Sequence, residues 1–244
     1  MNIIVAIDSF KGSLTSLQAG TAAEQGILRA LPDATVSVRP VADGGEGTVA
    51  ALVSGLKGKY VTISVTGPLG QPVEATYGIL PDQTAVIEMA ETAGLPLVPP
   101  EARNPMKTTT YGVGELIRHA LDQGYRTLIL VCALGGRLDH TLANIQNAAS
   151  AAAEGSNVTI LDEREEITFL TGGTLRLPRR KAWGLSVFSL TDRCTGVCLR
   201  GVKYRLEDAV LTNRVPLGVS NEFAAPEAEI SLTQGILMIA QTKK

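Results

Sequence analysis

Apolar and polar positions follow two different rhythms along this chain. A short apolar run at 3–7 predicts a central β-strand, and residues 15–31 carry helical spacing. Leu14, Leu17, Ala22, Ile27, Leu28 and Leu31 mark the buried side of that helix, and Pro32 stops it. Residues 34–40 alternate as a second strand, and a glycine-rich turn at 42–48 leads into a helix ending near Leu56. Strand, helix, strand, turn, helix is the α/β order.

From 60 to 89 the pattern shifts to short β runs split by Gly67-Pro68-Leu69-Gly70, a turn signal. Pro96, Pro99 and Pro100 mark an irregular loop before a predicted helix at 108–123. A buried strand at 127–132, a helix at 138–154 and a strand at 157–161 complete the α/β part. Beyond about Asp162 the helical period disappears. Alternating segments follow at 166–170, 174–177, 184–190, 196–200, 208–211, 218–223, 227–232 and 235–240, the spacing of a β-sandwich or barrel. The expected fold is therefore α/β: a parallel-sheet, nucleotide-binding-like domain over 1–162, then an all-β sandwich domain over 163–244.

Composition narrows the class. At 244 residues and 45% hydrophobic, the chain can bury a substantial core. Its 22 basic and 24 acidic residues leave no electrostatic footprint for nucleic acid or a membrane surface. Cys132, Cys194 and Cys198 are too few and too irregular for a disulfide framework, and nothing nearby completes a zinc site, so reduced thiols are expected. No apolar run approaches the ~20 residues of a membrane helix. The start, Met1-Asn2-Ile3-Ile4, enters a strand without a charged leader, and a cytoplasmic location is expected.

Four segments carry candidate chemistry. Asp8 stands at the carboxyl end of the first strand, where open α/β sheets bind ligands, and Lys11, Gly12 and Ser13 follow with groups suited to phosphate. The spacing is not that of a P-loop. The plainer reading has Ser13 or Thr15 capping the helix. In the second, Asp43, Gly44, Gly45, Glu46 and Gly47 place two carboxylates beside a turn whose glycines cost backbone entropy. Such a turn suits Mg²⁺ held against a nucleotide, or is an ordinary β-to-α turn with Glu46 on the helix dipole.

The third segment, Gly135 to Gln146, puts a guanidinium (Arg137), a carboxylate (Asp139), an imidazole (His140) and an amide (Asn144) at a strand end. Arg137 can fork onto phosphate, and Asp139 can bind a cation or take a hydroxyl proton. His140 and Asn144 fall on one side of the helix. Alternatively, Asp139 and Thr141 cap the helix and Arg137 makes a surface pair. The fourth, Ser220-Asn221-Glu222, sets polar groups in an apolar strand context, where a ligand or a β-turn would satisfy them. Trp183, the one tryptophan, is expected to pack within the sandwich.

Two resemblances emerge from these motifs. Asp8-Ser9-Phe10-Lys11-Gly12-Ser13, the Ala42–Thr48 turn, Thr66–Gly70, Glu88–Leu95 and Asn104–Ile117 are similar to the first part of the bacterial glycerate kinases, from Met1 to about Thr127. The Gly135–Gln146 and Ser220–Glu222 segments, with Asp162-Glu163 and Gly235–Ile239, resemble thiamine pyrophosphokinase from about Leu128 to Lys244. The chain thus resembles a mosaic joined near 127–135. Both families transfer phosphate groups from ATP with Mg²⁺.

The second resemblance implies a pyrophosphoryl transfer from ATP to thiamine, giving thiamine diphosphate and AMP. It also implies a homodimer formed through the β domain. In that reading Arg137, with His140 beside it, holds phosphate at the catalytic turn, and Asp139 binds Mg²⁺ or polarises the hydroxyl. Ser220, Asn221 and Glu222 form the thiamine site. Asp8, Lys11, Ser13, Asp43, Gly44, Gly45, Arg137 and Asn144 would hold the nucleotide, with Asp43 and Asp139 on the metal. Asp8 and Asp43 are expected to replace that family's own aspartates on one sheet edge. A glycerate kinase and a catalytically silent thiamine-binding dimer are the alternatives.

Overall fold

The computed structural model describes residues 1–10 and 12–244, so the expectation for Lys11 lies outside the described residues. The chain forms two compact units, Met1–Tyr125 and Arg126–Lys244. The change of rhythm near 162 falls inside the second.

The first unit opens with β1 (Asn2–Ile7), α1 (Ser16–Ala30) and β2 (Thr35–Pro40). β1 and β2 pair in parallel, from Asn2 opposite Thr35 to Ile7 opposite Pro40, as a two-stranded sheet. α1 lies against both strands, and its Gly20 is required there. A Cβ at that position would fall 2.3 Å from Val38 Cγ1. α2 (Thr48–Leu56) follows, then β3 (Lys59–Thr66), β4 (Pro72–Ile79) and the short β5 (Ala85–Val86), which form an antiparallel sheet. α3 (Ala90–Ala93) and α4 (Tyr111–Asp122) close the unit. Val65, Ala75, Tyr77 and Leu116 form one buried cluster; Val49, Val53 and Leu80 form another under α2.

The second unit begins with β6 (Thr127–Val131), α5 (Leu138–Ala153) and β7 (Asn157–Leu161), a right-length crossover joining a parallel pair. Eight antiparallel strands follow: β8 (Glu165–Leu170), β9 (Gly173–Pro178), β10 (Trp183–Ser189), β11 (Cys194–Arg200), β12 (Leu206–Leu211), β13 (Gly218–Glu222), β14 (Glu227–Leu232) and β15 (Leu237–Lys243). They make two sheets, of order β13-β10-β15-β8-β7-β6 and β12-β11-β14-β9. Inward residues of both sheets, Leu185, Val187, Leu237 and Ile239 against Val197, Leu199, Ala228 and Ile230, form one buried cluster. That is a β-sandwich whose larger sheet continues into the parallel pair under α5.

The fold is thus mixed α/β with a β-sandwich at its C-terminal end, as the alternation predicts. All three cysteines are free thiols. Among the described residues no helix is long and apolar enough to cross a membrane.

Candidate functional site

In the first unit, Asp8 directly follows β1, and its Oδ1 accepts a hydrogen bond from Ser9 N at 2.6 Å. The loop then closes on itself: Phe10 bridges Leu14, and Ser13 N donates to the Phe10 carbonyl at 2.7 Å. Thr15, not Ser13, caps α1, in a capping box with Gln18. Ser13 is exposed, and the buried Ser9 hydroxyl has no partner among the described residues.

Asp43 Oδ1 accepts from Gly45 N at 2.9 Å, and the Thr48 hydroxyl donates to the Gly45 carbonyl at 2.7 Å. Gly47, at φ 91°, is the N-cap of α2 and has no side chain with which to cap it. The cap comes from Glu88 instead. Its Oε1 accepts from Gly47 N at 2.9 Å and its Oε2 from Val49 N at 3.0 Å. Glu88 is 6% exposed, and burial pushes its carboxyl above the usual range despite these donors. Sequence reasoning named no role for Glu88. The available signal was a single carboxylate in the apolar run Ala85-Val86-Ile87-Glu88-Met89-Ala90.

In the second unit, β6 runs into the Gly135-Gly136 turn and α5 starts after Arg137. The Arg137 guanidinium forks onto Asp139: Nε donates to Oδ1 at 3.2 Å and Nη2 to Oδ2. Both side chains are exposed, and the pairing holds the Asp139 carboxyl down at about 2. His140 is exposed on the next position. Asn144, one turn further on, donates from Nδ2 to the Ala133 carbonyl at 2.7 Å and so ties the turn to the helix. His140 and Asn144 share a helix side, but Asn144 faces the protein's own backbone.

A cleft of about 440 Å³ opens at this same sheet edge. Leu134 and Gly135 line it after β6, Asp162, Arg164 and Glu165 after β7, and Thr242 and Lys243 at the end of β15. It lies at the carboxyl ends of the parallel pair, where α/β sheets take ligands. Arg164 and Lys243 escaped sequence reasoning, because they are remote from every glycine turn in the sequence and converge only through the sheet.

Ser220, Asn221 and Glu222 lie on β13, an edge strand of the larger sheet. Ser220 has φ 60°, at a register shift opposite Ser186, whose hydroxyl accepts from Ser220 N at 3.1 Å. Asn221 is 3% exposed and grips the backbone of Tyr204: Oδ1 accepts from Tyr204 N at 3.0 Å, and Nδ2 donates to Tyr204 O at 2.7 Å. Glu222 sits between Lys244 at 2.7 Å and Lys203 at 3.6 Å; the Lys244 contact leads in holding its carboxyl below the usual range.

For Mg²⁺ the fit is poor. Both Asp139 oxygens face Arg137, and no three His, Cys, Asp or Glu residues converge among the described residues. Asp8 and Asp43 belong to the first unit and Arg137 and Asp139 to the second. The strands preceding these turns lie in separate sheets.

Comparison with known proteins gives these sites a context. Residues 3–145 match the glycerate kinase family. The chain belongs to that family. The match continues through β6 and the Gly135 turn into α5, and residues 174–237 match the vitamin B1 binding domain of thiamin pyrophosphokinase. A glycerate kinase of Halalkalibacterium halodurans is 46% identical over 175 residues, covering 71% of this chain and 44% of its own. One from Haemophilus influenzae is 52% identical over 137 residues, covering 56% of this chain and 36% of its own. The chain therefore spans less than half the length of these relatives. Among solved structures, a thiamine pyrophosphokinase of Bacillus subtilis superposes with a TM-score of 0.51 at 22% identity. That superposition covers 55% of this chain and 63% of the other. At that identity the likeness is one of fold.

Proposed function

We propose that the chain is an ATP-dependent phosphotransferase, and that its reaction is the transfer of a pyrophosphoryl group from ATP to thiamine. The observation that carries this reading is the charged cleft at the carboxyl edge of β6 and β7. It adjoins the Gly135-Gly136 turn, in the unit that also contains the vitamin B1 binding match. Arg164 and Lys243 offer cations there to the triphosphate.

The thiamine hydroxyl would attack the β-phosphorus and release AMP. Catalysis of this kind rests on positioning and charge neutralisation. Arg137 joins in by exchanging Asp139 for a phosphate oxygen, which frees the Asp139 carboxylate to accept the hydroxyl proton. Once Arg137 has left it, Asp139 returns toward the ordinary carboxylate range, still well below neutral pH, so it takes a proton only transiently and serves chiefly to orient the hydroxyl. The described residues do not form a Mg²⁺ site, and no step is assigned to the metal. A homodimer through the sandwich belongs to the same reading, and sedimentation velocity tests it.

Glycerate phosphorylation is the second reading, favoured by the family match over 3–145. One assay separates the two: incubate the chain with ATP and Mg²⁺ plus thiamine or glycerate, and resolve AMP from ADP. AMP formed only with thiamine supports the first reading, and ADP formed only with glycerate supports the second. Thermal stabilisation by thiamine without either product indicates a silent thiamine-binding protein.

A further inference from the structure

The start of α2 presents an accounting problem. A helix of nine residues begins with main-chain N–H groups that need acceptors, and its N-cap is a glycine without a side chain. Four donors of the turn and the first helical positions are nevertheless used. Gly45 N goes to Asp43 Oδ1 at 2.9 Å, Thr48 N to the Gly45 carbonyl at 3.2 Å, and Gly47 N and Val49 N to the two oxygens of Glu88. An external phosphate at this helix end would meet a buried carboxylate in its place. Glu88 is itself fixed from behind: three residues on, Glu91 Oε2 accepts from Thr76 N of β4 at 3.1 Å, which ties the 88–91 segment to the sheet.

We propose that Glu88 is the positioning residue of the Asp43–Thr48 turn: a built-in anion that fills the N-terminus of α2 and denies its Gly47 and Val49 amides to phosphate. This rests on the reading that the chain is a phosphotransferase. It restricts that reading by directing nucleotide phosphates away from α2. A helix N-terminus behind a glycine turn is ordinarily an anion site. Here the chain supplies the anion from a position 41 residues away. Glu91 is the charged group beside Glu88, and its repulsion acts with burial to favour the protonated form.

The test follows the Gly47 and Val49 amides by ¹⁵N NMR in the full chain, in wild type, Glu88→Ala and Glu88→Gln. In wild type both amides are expected to titrate with one carboxyl group above the usual range. They should be indifferent to inorganic phosphate and to ATP. In Glu88→Ala the carboxyl titration disappears and a saturable shift with inorganic phosphate appears. Phosphate shifting these amides in wild type would overturn the proposal, as would their failure to sense any carboxyl titration. If Glu88→Ala does not fold, Glu88→Gln decides: it must lose the titration while keeping the turn's remaining chemical shifts. Absence of AMP and ADP in the product assay would sink the phosphotransfer reading while leaving the amide result standing.

Discussion

Replacing Asn221 by alanine separates a structural role from a ligand-binding one. The side chain is buried and makes two bonds to the Tyr204 peptide groups, at 3.0 and 2.7 Å, besides one to its own neighbour Glu222 N at 2.9 Å. Each bond contributes about 1 kcal/mol net, and a donor or acceptor left buried without a partner costs about 1–3 kcal/mol. Tyr204 is exposed, so water reaches part of its backbone and the lower values apply. The expected loss is then about 2–3 kcal/mol. With a urea m-value of about 2 kcal/mol/M, typical of a small unit, the midpoint falls by about 1–1.5 M. Trp183 is the one tryptophan and lies at the start of β10, the strand that pairs with β13. Its fluorescence therefore reports this unit within a chain whose unfolding need not be two-state. A midpoint shift below about 0.2 M, together with abolished thiamine binding, would refute the clamp and return Asn221 to the ligand.

Other consequences are as direct. Gly112→Ala places a Cβ 2.2 Å from the Thr66 carbonyl oxygen, against backbone that Glu115 already holds through Thr66 N at 2.6 Å. The overpacking costs about 1–3 kcal/mol or more, read as earlier loss of amide-exchange protection in β3 and α4. Asp139, held down at about 2 by Arg137, adds stability that is present above its ordinary 3.8 and fades as pH falls through about 2. Arg137→Ala returns the carboxyl to its ordinary range, visible in a ¹³C titration of Asp139. Glu88 has the opposite sign: its raised folded value means that stability is greatest below the usual carboxyl range and falls as pH rises through the raised one. Glu88→Gln should flatten that slope for the first unit in pH-dependent amide exchange. Alanine at both Arg164 and Lys243 should weaken ATP binding about tenfold or more by calorimetry if the cleft holds the triphosphate, since charge-assisted bonds contribute about 1.5–3 kcal/mol each where screening is low.

Sequence alone revealed the elements well and their partners poorly. The period-3.6 run at 15–31 becomes Ser16–Ala30 and the apolar run at 127–132 becomes Thr127–Val131, because each pattern is local. The alternating segments beyond 162 pair as a sandwich for the same reason. The expected burial of that helix and that strand does not hold. Ser16, Ala19 and Gly20 are the buried residues of the helix, Leu14, Leu17, Leu28 and Leu31 are exposed, and so are Ile129 and Val131 of the strand, since burial depends on what packs against an element. What stayed hidden was non-local. Glu88 caps a helix 41 residues away, and Asn221 clamps a peptide 17 residues away. Lys243 reaches the cleft beside Gly135 only because β15 and β8 lie between β10 and β7 in the larger sheet. No periodicity encodes such meetings, since each depends on sheet order rather than on neighbouring residues.

The same hydrogen bonds redistribute the chemistry that the motifs suggested. In the first unit, Glu88, Glu91 and Glu115 each accept from the main chain of a distant element, and Asp43 from its own turn. Carboxylates used in this way shape the glycine turn and the sheet beside it, and they are already committed to main-chain donors. In the second unit Arg137 and Asp139 neutralise one another, and Glu222 is balanced by two lysines. An exposed pair of this kind is held weakly enough to be exchanged for a ligand. A buried carboxylate bonded to two main-chain donors is not. On the proposed reading, ligand recognition falls on the cleft between the Gly135 turn and Lys243, and the first unit's glycine turn, closed by Glu88 and Asp43, acts as scaffold.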